Sequence, residues 1–380
     1  MLSYKHLLKL LPIVFLLAFI YHHYFISSSH SLYNDVSDSQ NSDTSAAPQA
    51  VSRRRRLKIL EYHSQILFPY PNLTFPANRM LRSKWATNLK STVDTANFNK
   101  QITYLMVSFD YFSTLLNWLV HTKLHAPSLM RHLLVVCLDE ESHKVLSDKG
   151  IVSSVVTVDN IIKSLSDIEG TLFHARVVVR LTVLRLLNYW GYDVLQMDID
   201  ALLMNNIQSV FDHFNDVDII TSTSMKNCIP KTAHRAWGFC MCIGAVLIRS
   251  NDNTEKMWQL MGHTPIARAG SDQNRFNSIL VSMEITWDSV QYDGHHYYKG
   301  TSSDHVITTV ALPQDVVCRD DCDTTTLSSY YVCHPHSSHQ GDKKESNLLQ
   351  HNLWIVSDEW NKTVNGVQAT MDWLSDVSDV

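Results

Sequence analysis

The sequence predicts an α/β domain with a mostly parallel sheet flanked by helices, preceded by an N-terminal transmembrane anchor. Three observations predict this organisation. Apolar runs typical of buried strands alternate with segments of helical periodicity from about residue 96 onward. An apolar stretch of bilayer-spanning length lies close to the N-terminus. A polar stretch follows it and lacks the large apolar side chains that a core needs.

The composition excludes several classes of protein. The chain has 380 residues and a formal net charge of -5, with 45% hydrophobic and 18% charged residues. This apolar fraction excludes wholesale disorder and a multi-pass membrane protein. Mild acidity argues against a nucleic-acid partner, because nucleic-acid-binding proteins usually carry a broad basic surface.

The N-terminal segment predicts a single-pass signal anchor. Residues 7–26 are almost entirely apolar, and about 20 such residues suffice to cross a bilayer as a helix. Lys5 and Lys9 lie at the N-terminal side, which favours a cytosolic tail over residues 1–6 and a lumenal remainder. A cleaved signal peptide is the alternative, but no small-x-small cleavage site follows this segment.

Residues 27–95 are predicted to be a disordered stem and lead-in, because the stretch Ser27–Ser52 is rich in Ser, Asp, Asn and Gln. The run Arg53–Arg56 is either a solvated segment or a processing-protease site. Two sequons, at Asn72 and Asn361, are compatible with glycosylation in the secretory pathway. Residues 96–380 then form one large α/β domain.

The seven cysteines fit neither a dense disulfide scaffold nor a zinc ribbon, and no C-x-x-C pair occurs. The odd number leaves at least one free thiol, and Cys137 lies in an apolar run that would bury it. Two groups of three could each supply a bridge in an oxidising compartment: Cys228, Cys240 and Cys242, and Cys318, Cys322 and Cys333.

Alternating strands and helices predict a parallel sheet covered on both faces. Glycines at 150 and 191 close two of the helices. In chain order the predicted elements are strand Ile102–Val107, helix Tyr111–Lys123, strand His132–Leu138, helix Glu140–Lys149, strand Ile151–Val158, helix Leu172–Trp190, strand Asp193–Gln196, strand Ile243–Ile248 and helix Gln273–Leu280.

Two aspartates, Asp198 and Asp200, stand at the C-terminal end of a short apolar strand. Ligands of open α/β sheets bind beyond the carboxyl ends of the strands. Two carboxylates at this spacing can reach one divalent ion, and oxygen ligands favour Mn²⁺ or Mg²⁺ over zinc. Such an ion can bridge the phosphates of a nucleotide-sugar and stabilise the departing diphosphate as a Lewis acid.

Two other interpretations of this pair compete. Asp-x-Asp also occurs by chance in surface turns, but here Leu195 and Ile199 provide an apolar setting that disfavours unpaired carboxylates. A pair of carboxylates for glycoside hydrolysis would have to flank a bond, about 5 Å or more apart. Adjacent aspartates at a strand end, together with a membrane anchor, fit sugar transfer better.

Four segments in this order resemble the nucleotide-diphospho-sugar transferase family, which includes type II Golgi xylosyl-, arabinosyl- and galactosyltransferases. They are Leu133–Asp139, Arg180–Tyr192, Asp198–Asp200 and Ser271–Asn277. The resemblance covers roughly Ile102 to Trp354. It implies a Rossmann-like GT-A fold, a UDP-sugar donor, Mn²⁺ (or Mg²⁺), a glycan or glycoprotein acceptor, and retention of anomeric configuration.

The resemblance also implies roles for individual residues. Asp272 and Gln273 would be catalytic, near the transferred sugar. The donor would be bound by Asp139, Arg180, Asp198 and Lys344, and the metal by Asp198, Asp200, His334 and His336. The protein would then be a hexosyl- or pentosyltransferase of the Golgi membrane with a lumenal catalytic domain.

Structural roles compete with some of these assignments. Asp272 is also a candidate N-cap of the following helix. Arg180 is alternatively a salt-bridge partner or a snorkelling side chain on an amphipathic helix. The histidine-rich stretch is either a solvated loop or a ligand segment, in which His334 or His336 is preferred over His339. The stretch 201–206 departs from the family pattern. A catalytically inactive lumenal protein that binds sugar or nucleotide is therefore the alternative function.

Overall fold

The computed structural model describes residues 78–164, 172–226, 230–261, 271–319, 325–335 and 341–356. The predicted cytosolic tail, anchor, arginine run and both sequons lie outside these ranges. Among the described residues, no helix is long and apolar enough to span a bilayer.

A large sheet and a small sheet organise the domain. The strands are β1 Gln101–Val107, β2 Leu133–Cys137, β3 Ser153–Val155, β4 Asp193–Met197, β5 Leu202–Leu203, β6 Ile219–Ser224, β7 Cys240–Ile248, β8 Thr286–Tyr292, β9 His295–Thr301, β10 Thr308–Leu312, β11 Val317–Cys318 and β12 Val332–Cys333. Nine of them form the large sheet in the order β3-β2-β1-β4-β7-β6-β10-β9-β8, and three form the small sheet β11-β12-β5.

Helices cover both faces of the large sheet. They are α1 Asn78–Leu81, α2 Lys84–Ala96, α3 Phe112–His125, α4 Pro127–Met130, α5 Glu140–Asp148, α6 Val158–Ser164, α7 Leu172–Tyr189, α8 Gln208–His213, α9 Lys231–Trp237, α10 Asp252–Met261, α11 Asp272–Ser282 and α12 Gly341–Gln350.

The two faces of the sheet carry separate hydrophobic clusters, because successive strand side chains point to opposite faces. Strand β1 sends Leu105 to one cluster, which includes Trp118 of α3. It sends Tyr104 to the other, which includes Trp258 of α10. The prediction of an α/β domain with helices on both faces is confirmed.

The sheet is mixed, however, and not mostly parallel as the sequence predicts. Strands β1, β2, β3 and β4 pair in parallel, as do β6 and β10. Strand β7 is antiparallel to both of its neighbours, and β9 is antiparallel to both β8 and β10. The turn between β8 and β9 is Asp293-Gly294, with positive φ at both residues, which is the backbone of a two-residue hairpin. The largely exposed side chains of β8 hide it from a search for apolar runs.

Most of the predicted elements lie within one to three residues of the observed ones. Strand β3 is shorter than the predicted range 151–158, because helix α6 begins at Val158. Cys137 is a buried free thiol, as predicted. Cys240 and Cys318, one from each predicted group, are disulfide-bonded.

The ordered domain begins earlier than predicted. Helices α1 and α2 lie within the predicted stem and lead-in, yet Trp85, Leu89 and Val93 on one face of α2 are buried in the core. The Ser83 hydroxyl caps α2 by accepting the N–H of Ala86. The polar composition of this segment concealed a narrow apolar stripe of helical spacing. The folded domain therefore includes the residues from Asn78 onward, ahead of the predicted boundary at residue 96.

Helix α3 holds the segment that follows α12. The Asn117 side chain donates to the carbonyl of Leu353 at 3.0 Å and accepts the N–H of Ile355 at 2.9 Å. Nε2 of His121 lies 3.0 Å from the same Leu353 carbonyl. Burial lowers the pKa of His121 to about 4 from an ordinary value of 6.5, although its contact with Leu353 opposes the shift. His121 is thus neutral in the folded protein at neutral pH.

Leu89→Ala should destabilise the domain by about 2–5 kcal/mol, because it removes a fully buried side chain and leaves a cavity. The exposed neighbour Asn88→Ala provides the control, with an expected change below about 0.5 kcal/mol. Denaturant unfolding of the full-length chain measures both values. Equal stability of the two variants would mean that α2 is not part of the folded core.

The stability of the domain should fall as the pH drops from about 6.5 to about 4. In that window the unfolded chain protonates His121 while the folded chain does not, so the unfolded state gains protons and is favoured. The loss attributable to this residue is up to about 3 kcal/mol. His121→Gln should lose less stability than the wild type between pH 7 and pH 4 in denaturant unfolding. Identical pH dependence of the two proteins would contradict the assignment.

Candidate active site

The two predicted aspartates lie where β4 ends, beside the middle of β7. Asp198 donates its backbone N–H to the carbonyl of Gly244 at 2.7 Å, and its own carbonyl accepts the N–H of Ala201 at 2.9 Å. These bonds turn the chain sharply after β4. Both carboxylates consequently stay at the carboxyl end of the strand, which is the end of an α/β sheet that binds ligands.

A cavity of about 410 Å³ opens at this edge of the sheet. Its walls carry six of the residues that the resemblance implies, namely Arg180, Asp198, Asp272, Gln273, His334 and Lys344. They come from five separate stretches of the chain, and the fold brings them together. The cavity is also lined by residues that sequence reasoning did not assign to the site, including Tyr111, Arg176, Cys242, Gly244 and Arg319.

Three side chains form a candidate metal centre at the edge of this cavity. One ligand atom from each of Asp198, Asp200 and His334 lies within 4.8 Å of the other two. Nε2 of His334 is 3.8 Å from Oδ2 of Asp198 and 3.7 Å from Oδ1 of Asp200. Two carboxylates and one imidazole suit Mn²⁺ or a similar oxygen-preferring divalent cation.

Gly244 makes this convergence possible. A Cβ atom at this position would lie 2.6 Å from Nδ1 and still closer to Cε1 of His334, and 3.0 Å from Oδ2 of Asp198. Any larger residue at position 244 would push His334 away from the two aspartates. The structure therefore requires glycine here for steric room.

Arg180 of α7 bridges two carboxylates on the opposite side of the cavity. Its Nη1 donates to Oδ1 of Asp198 at 2.5 Å, and its Nη2 contacts Oδ2 of Asp272. Nε2 of Gln196 also lies 3.4 Å from Oδ1 of Asp198. One oxygen of Asp198 is thereby occupied, and the other faces His334.

Lys344 of α12 reaches the second aspartate. Its Nζ donates to Oδ1 of Asp200 at 2.7 Å. Asp200 is almost completely buried, so it needs such a partner to remain ionised. The prediction that Lys344 belongs to the site is thus consistent with its position at the junction of the metal centre and the cavity.

The surrounding charges keep both aspartates ionised. Burial alone would raise the pKa of Asp198, but Arg180 and Lys344 outweigh it and hold that pKa below its ordinary value. Burial opposes ionisation of Asp200 as well, and Lys344 together with His334 holds its pKa well below the ordinary value. Both groups are therefore carboxylates at neutral pH, the form that binds a cation.

Cys242 and Arg319 both contact His334. Neither was predicted from the sequence to be a site residue. Sγ of Cys242 lies 3.9 Å from Nδ1 of His334, which leaves Nε2 facing the aspartates. Burial would raise the pKa of Cys242, but the charge of Arg319 and the contact with His334 lower it to about 7. The pKa of His334 is lowered by burial and by Arg319, yet contact with Asp200 raises it overall.

The N-terminus of α11 presents Asp272 and Gln273 to the cavity. Ser271, not Asp272, is the N-cap, because its hydroxyl accepts the N–H of Asn274. The alternative role of Asp272 as N-cap is therefore wrong. Asn277 ties α11 to β7 by exchanging two hydrogen bonds with the backbone of Met241, at 2.8 and 2.7 Å.

Asp139 is not among the residues that line the cavity. Asp139 caps α5 through the N–H of Ser142, and its other oxygen accepts the N–H of Phe109 at 2.7 Å. These contacts give Asp139 a structural role, and its predicted role in donor binding stays a prediction. His336 and its rival His339 lie outside the described residues.

The sequence profile of the nucleotide-diphospho-sugar transferase family matches residues 128–353. The chain belongs to this family. The matched range includes every residue of the candidate metal centre and of its charged surroundings. A comparison with curated proteins finds no match.

Solved structures of three glycosyltransferases are among those similar to this chain. The galactosyltransferase LgtC, in complex with donor and acceptor sugar analogs, shares 12% identity with a TM-score of 0.40, covering 69% of this chain and 99% of its own. Mouse xyloside xylosyltransferase 1 in its apo form shares 12% identity with a TM-score of 0.33, covering 62% and 97%. GlyE of Streptococcus pneumoniae TIGR4 shares 11% identity with a TM-score of 0.29, covering 47% and 43%.

Gly244→Ala should weaken Mn²⁺ binding roughly tenfold or more, because the added methyl group displaces His334 from the two aspartates. Calorimetric titration of Mn²⁺ into the purified full-length protein measures the effect. Ala245→Gly, on the other face of the same strand, is the control and should keep the wild-type affinity. An unchanged Kd in Gly244→Ala would show that His334 does not contribute a ligand.

Proposed function

We propose that the protein transfers a sugar from a UDP-sugar to a hydroxyl group of a glycan or glycoprotein, with Mn²⁺ (or Mg²⁺) as cofactor. One observation carries the proposal: Asp198, Asp200 and His334 converge beside a cavity that also holds Arg180, Lys344 and Gln273. Membership of the nucleotide-diphospho-sugar transferase family supports the same chemistry.

The metal would be held by Asp198, Asp200 and His334, whose ligand atoms already face one another. A divalent cation at this place would supply Lewis-acid stabilisation of the diphosphate leaving group. The residues fit such an ion because the donor set is rich in oxygen and both carboxylates are ionised. Gly244 leaves the room that this donor set needs.

The charged side chains around the metal centre would bind and orient the donor. Lys344 lies at the edge of the cavity and would contribute positive charge toward the phosphates. Arg180 fixes the orientation of Asp198 and lies on the wall where the transferred sugar would fit. Asp198, held by Arg180 on the same wall, would contact the ribose or the transferred sugar.

Asp272 and Gln273 would have different roles in catalysis. The Asp272 carboxylate is held by Arg180 and by the N–H of Gln273, which makes it a positioning group with little freedom to attack a sugar. Gln273 lines the cavity, and its side chain is uncharged. We propose that it contacts the transferred sugar and that transfer retains the anomeric configuration.

We further propose that residues 7–26 anchor the protein in the Golgi membrane as a single-pass type II protein with a lumenal catalytic domain. The apolar length of this segment and the lysines beside it support the orientation. The disulfide-bonded Cys240 and Cys318 support an oxidising compartment.

The proposed activity predicts that UDP release from a panel of UDP-sugars requires Mn²⁺ and stops with EDTA. Asp200→Asn should lower turnover at least about a hundred-fold, because the metal supplies several kcal/mol of transition-state stabilisation. The exposed surface variant Asp288→Asn is the control and should keep wild-type turnover. The measurement is UDP release by the full-length protein in detergent, with an acceptor glycan present.

Two outcomes would contradict this proposal. Turnover that survives EDTA, or full turnover in Asp200→Asn, would exclude the metal role. Tight binding of UDP with Mn²⁺ but no turnover across the donor panel would instead identify an inactive nucleotide-binding protein of the same family.

A further inference from the structure

The small sheet brings three site residues to one corner of the cavity. Asp200 stands just before β5, His334 directly after β12, and Arg319 directly after β11. Strands β11 and β12 are parallel, so the residues that follow them leave at the same edge. Strand β5 is antiparallel to β12, so its start meets the end of β12. This pairing explains why Arg319 lies beside the metal centre.

Arg319 is held rigidly in this corner. Its backbone N–H donates to Oε1 of Gln314 at 3.2 Å, and its Nη1 donates to the carbonyls of His334 at 2.9 Å and Pro335 at 3.4 Å. The carbonyl of Cys318 accepts the N–H of His334 at 2.8 Å. The guanidinium is therefore fixed to the backbone of a candidate metal ligand.

Arg319 has no acidic partner among the residues that the structure describes, and its buried Nε has no hydrogen-bond partner there. The other cations of the cavity do have partners: Arg180 contacts two aspartates, and Lys344 contacts Asp200. A half-buried guanidinium is costly when its charge is left uncompensated. A bound anion would supply the missing charge.

The charges around the cavity indicate what that anion is. Asp198, Asp200 and Asp272 carry three negative charges, which the charges of Arg180, Lys344 and Arg319 balance. A divalent cation at the metal centre then adds two positive charges. The diphosphate of a nucleotide-sugar carries one negative charge on each phosphate, so the charges of these six side chains, the cation and the diphosphate sum to zero when Arg319 is included.

Arg176 also lines the cavity, but it lies away from the metal centre, beside Tyr111. Its guanidinium is stacked over the ring of Tyr111 at 5.6 Å and lies 3.9 Å from the largely exposed Asp110. Arg319 instead shares the corner of His334, where a ligand of the metal would be located. The position of Arg319 therefore favours contact with a group that is bound to the metal. The transferred sugar would lie on the other side of the cavity, toward Arg180 and Asp272.

We propose that Arg319 binds the diphosphate of the nucleotide-sugar donor, opposite Lys344, and stabilises the departing UDP. This inference rests on the proposed function. A guanidinium offers two parallel N–H donors that match the geometry of phosphate oxygens, whereas lysine offers a point charge. Arg319 would therefore contribute geometric selection of the diphosphate as well as charge.

The test compares Arg319→Gln and Arg319→Lys with the wild type as full-length proteins. Calorimetry measures the Kd of UDP with Mn²⁺ and the Kd of Mn²⁺ alone, and ligand-observed NMR measures the Kd of uridine, which lacks phosphates. Arg319→Gln should weaken UDP binding about ten- to a hundred-fold, because a hydrogen bond to a charged group is lost. Its affinities for uridine and for Mn²⁺ should not change. The UDP affinity of Arg319→Lys should lie between those of the wild type and Arg319→Gln. Arg235→Gln, an exposed arginine of α9, is the matched control.

Several results would overturn the inference. Wild-type UDP affinity in Arg319→Gln would show that Arg319 does not touch the diphosphate, including the case in which it binds an anionic group of the acceptor. An equal loss of uridine and UDP binding, or a loss of Mn²⁺ affinity, would show that Arg319 only supports the fold around His334. Failure of the wild type itself to bind UDP with Mn²⁺ would instead refute the proposed function.

Discussion

Two ionised carboxylates that lie side by side, the buried Asp200 and the half-buried Asp198, are the constraint on which the site depends. Asp198 and Asp200 repel each other, and burial penalises the charge of each. The protein keeps both charged by placing Arg180 against the first and Lys344 against the second. Helix α7 and helix α12 must therefore dock against the same edge of the sheet, although they are far apart in the sequence. The folding of the domain and the assembly of the site are linked through these two ion pairs.

Strand β7 is the structural centre of this arrangement. All nine of its residues are buried, and it lies between β4 and β6 in the middle of the large sheet. It supplies the carbonyl that receives the N–H of Asp198, the space at Gly244 and the thiol of Cys242. The backbone of Met241 on the same strand fixes α11 through Asn277. A single rigid strand thus positions the metal ligands, the Asp272–Gln273 pair and the floor of the cavity relative to one another.

The site divides into two regions of different charge. Around Arg180 the carboxylates of Asp198 and Asp272 outnumber the cation, which suits a neutral sugar with many hydroxyl groups. Around His334 the positive charges of Lys344 and Arg319 predominate once a divalent cation is bound, which suits a diphosphate. The proposed donor carries a neutral sugar and a charged diphosphate, joined by the bond that is broken. This match of charge along the cavity supports a nucleotide-sugar as the ligand.

The sequence by itself determined the elements that depend on local pattern. The apolar runs of β1, β2 and β4, the glycine-terminated helices and the strand-end position of Asp198 and Asp200 follow from side-chain periodicity and turn chemistry. The motif order also predicted the family, which the profile match confirms. It predicted Arg180, Asp272 and Gln273 as site residues, and all three line the cavity. Polar elements such as α2 and β8 were missed, because their burial or pairing depends on partners that a local pattern does not contain.

Only the tertiary structure decided which residues meet. The antiparallel insertion of β7, the pairing of β5 with β12 and the hydrogen bond from the N–H of Phe109 to Asp139 all depend on contacts between distant segments. Gly244, Cys242 and Arg319 have no motif of their own, so nothing in the sequence separates them from ordinary strand residues. They belong to the site because strand pairing places them within a few ångströms of His334. Local sequence can specify a carboxylate at the end of a strand, but long-range packing determines which charges surround it.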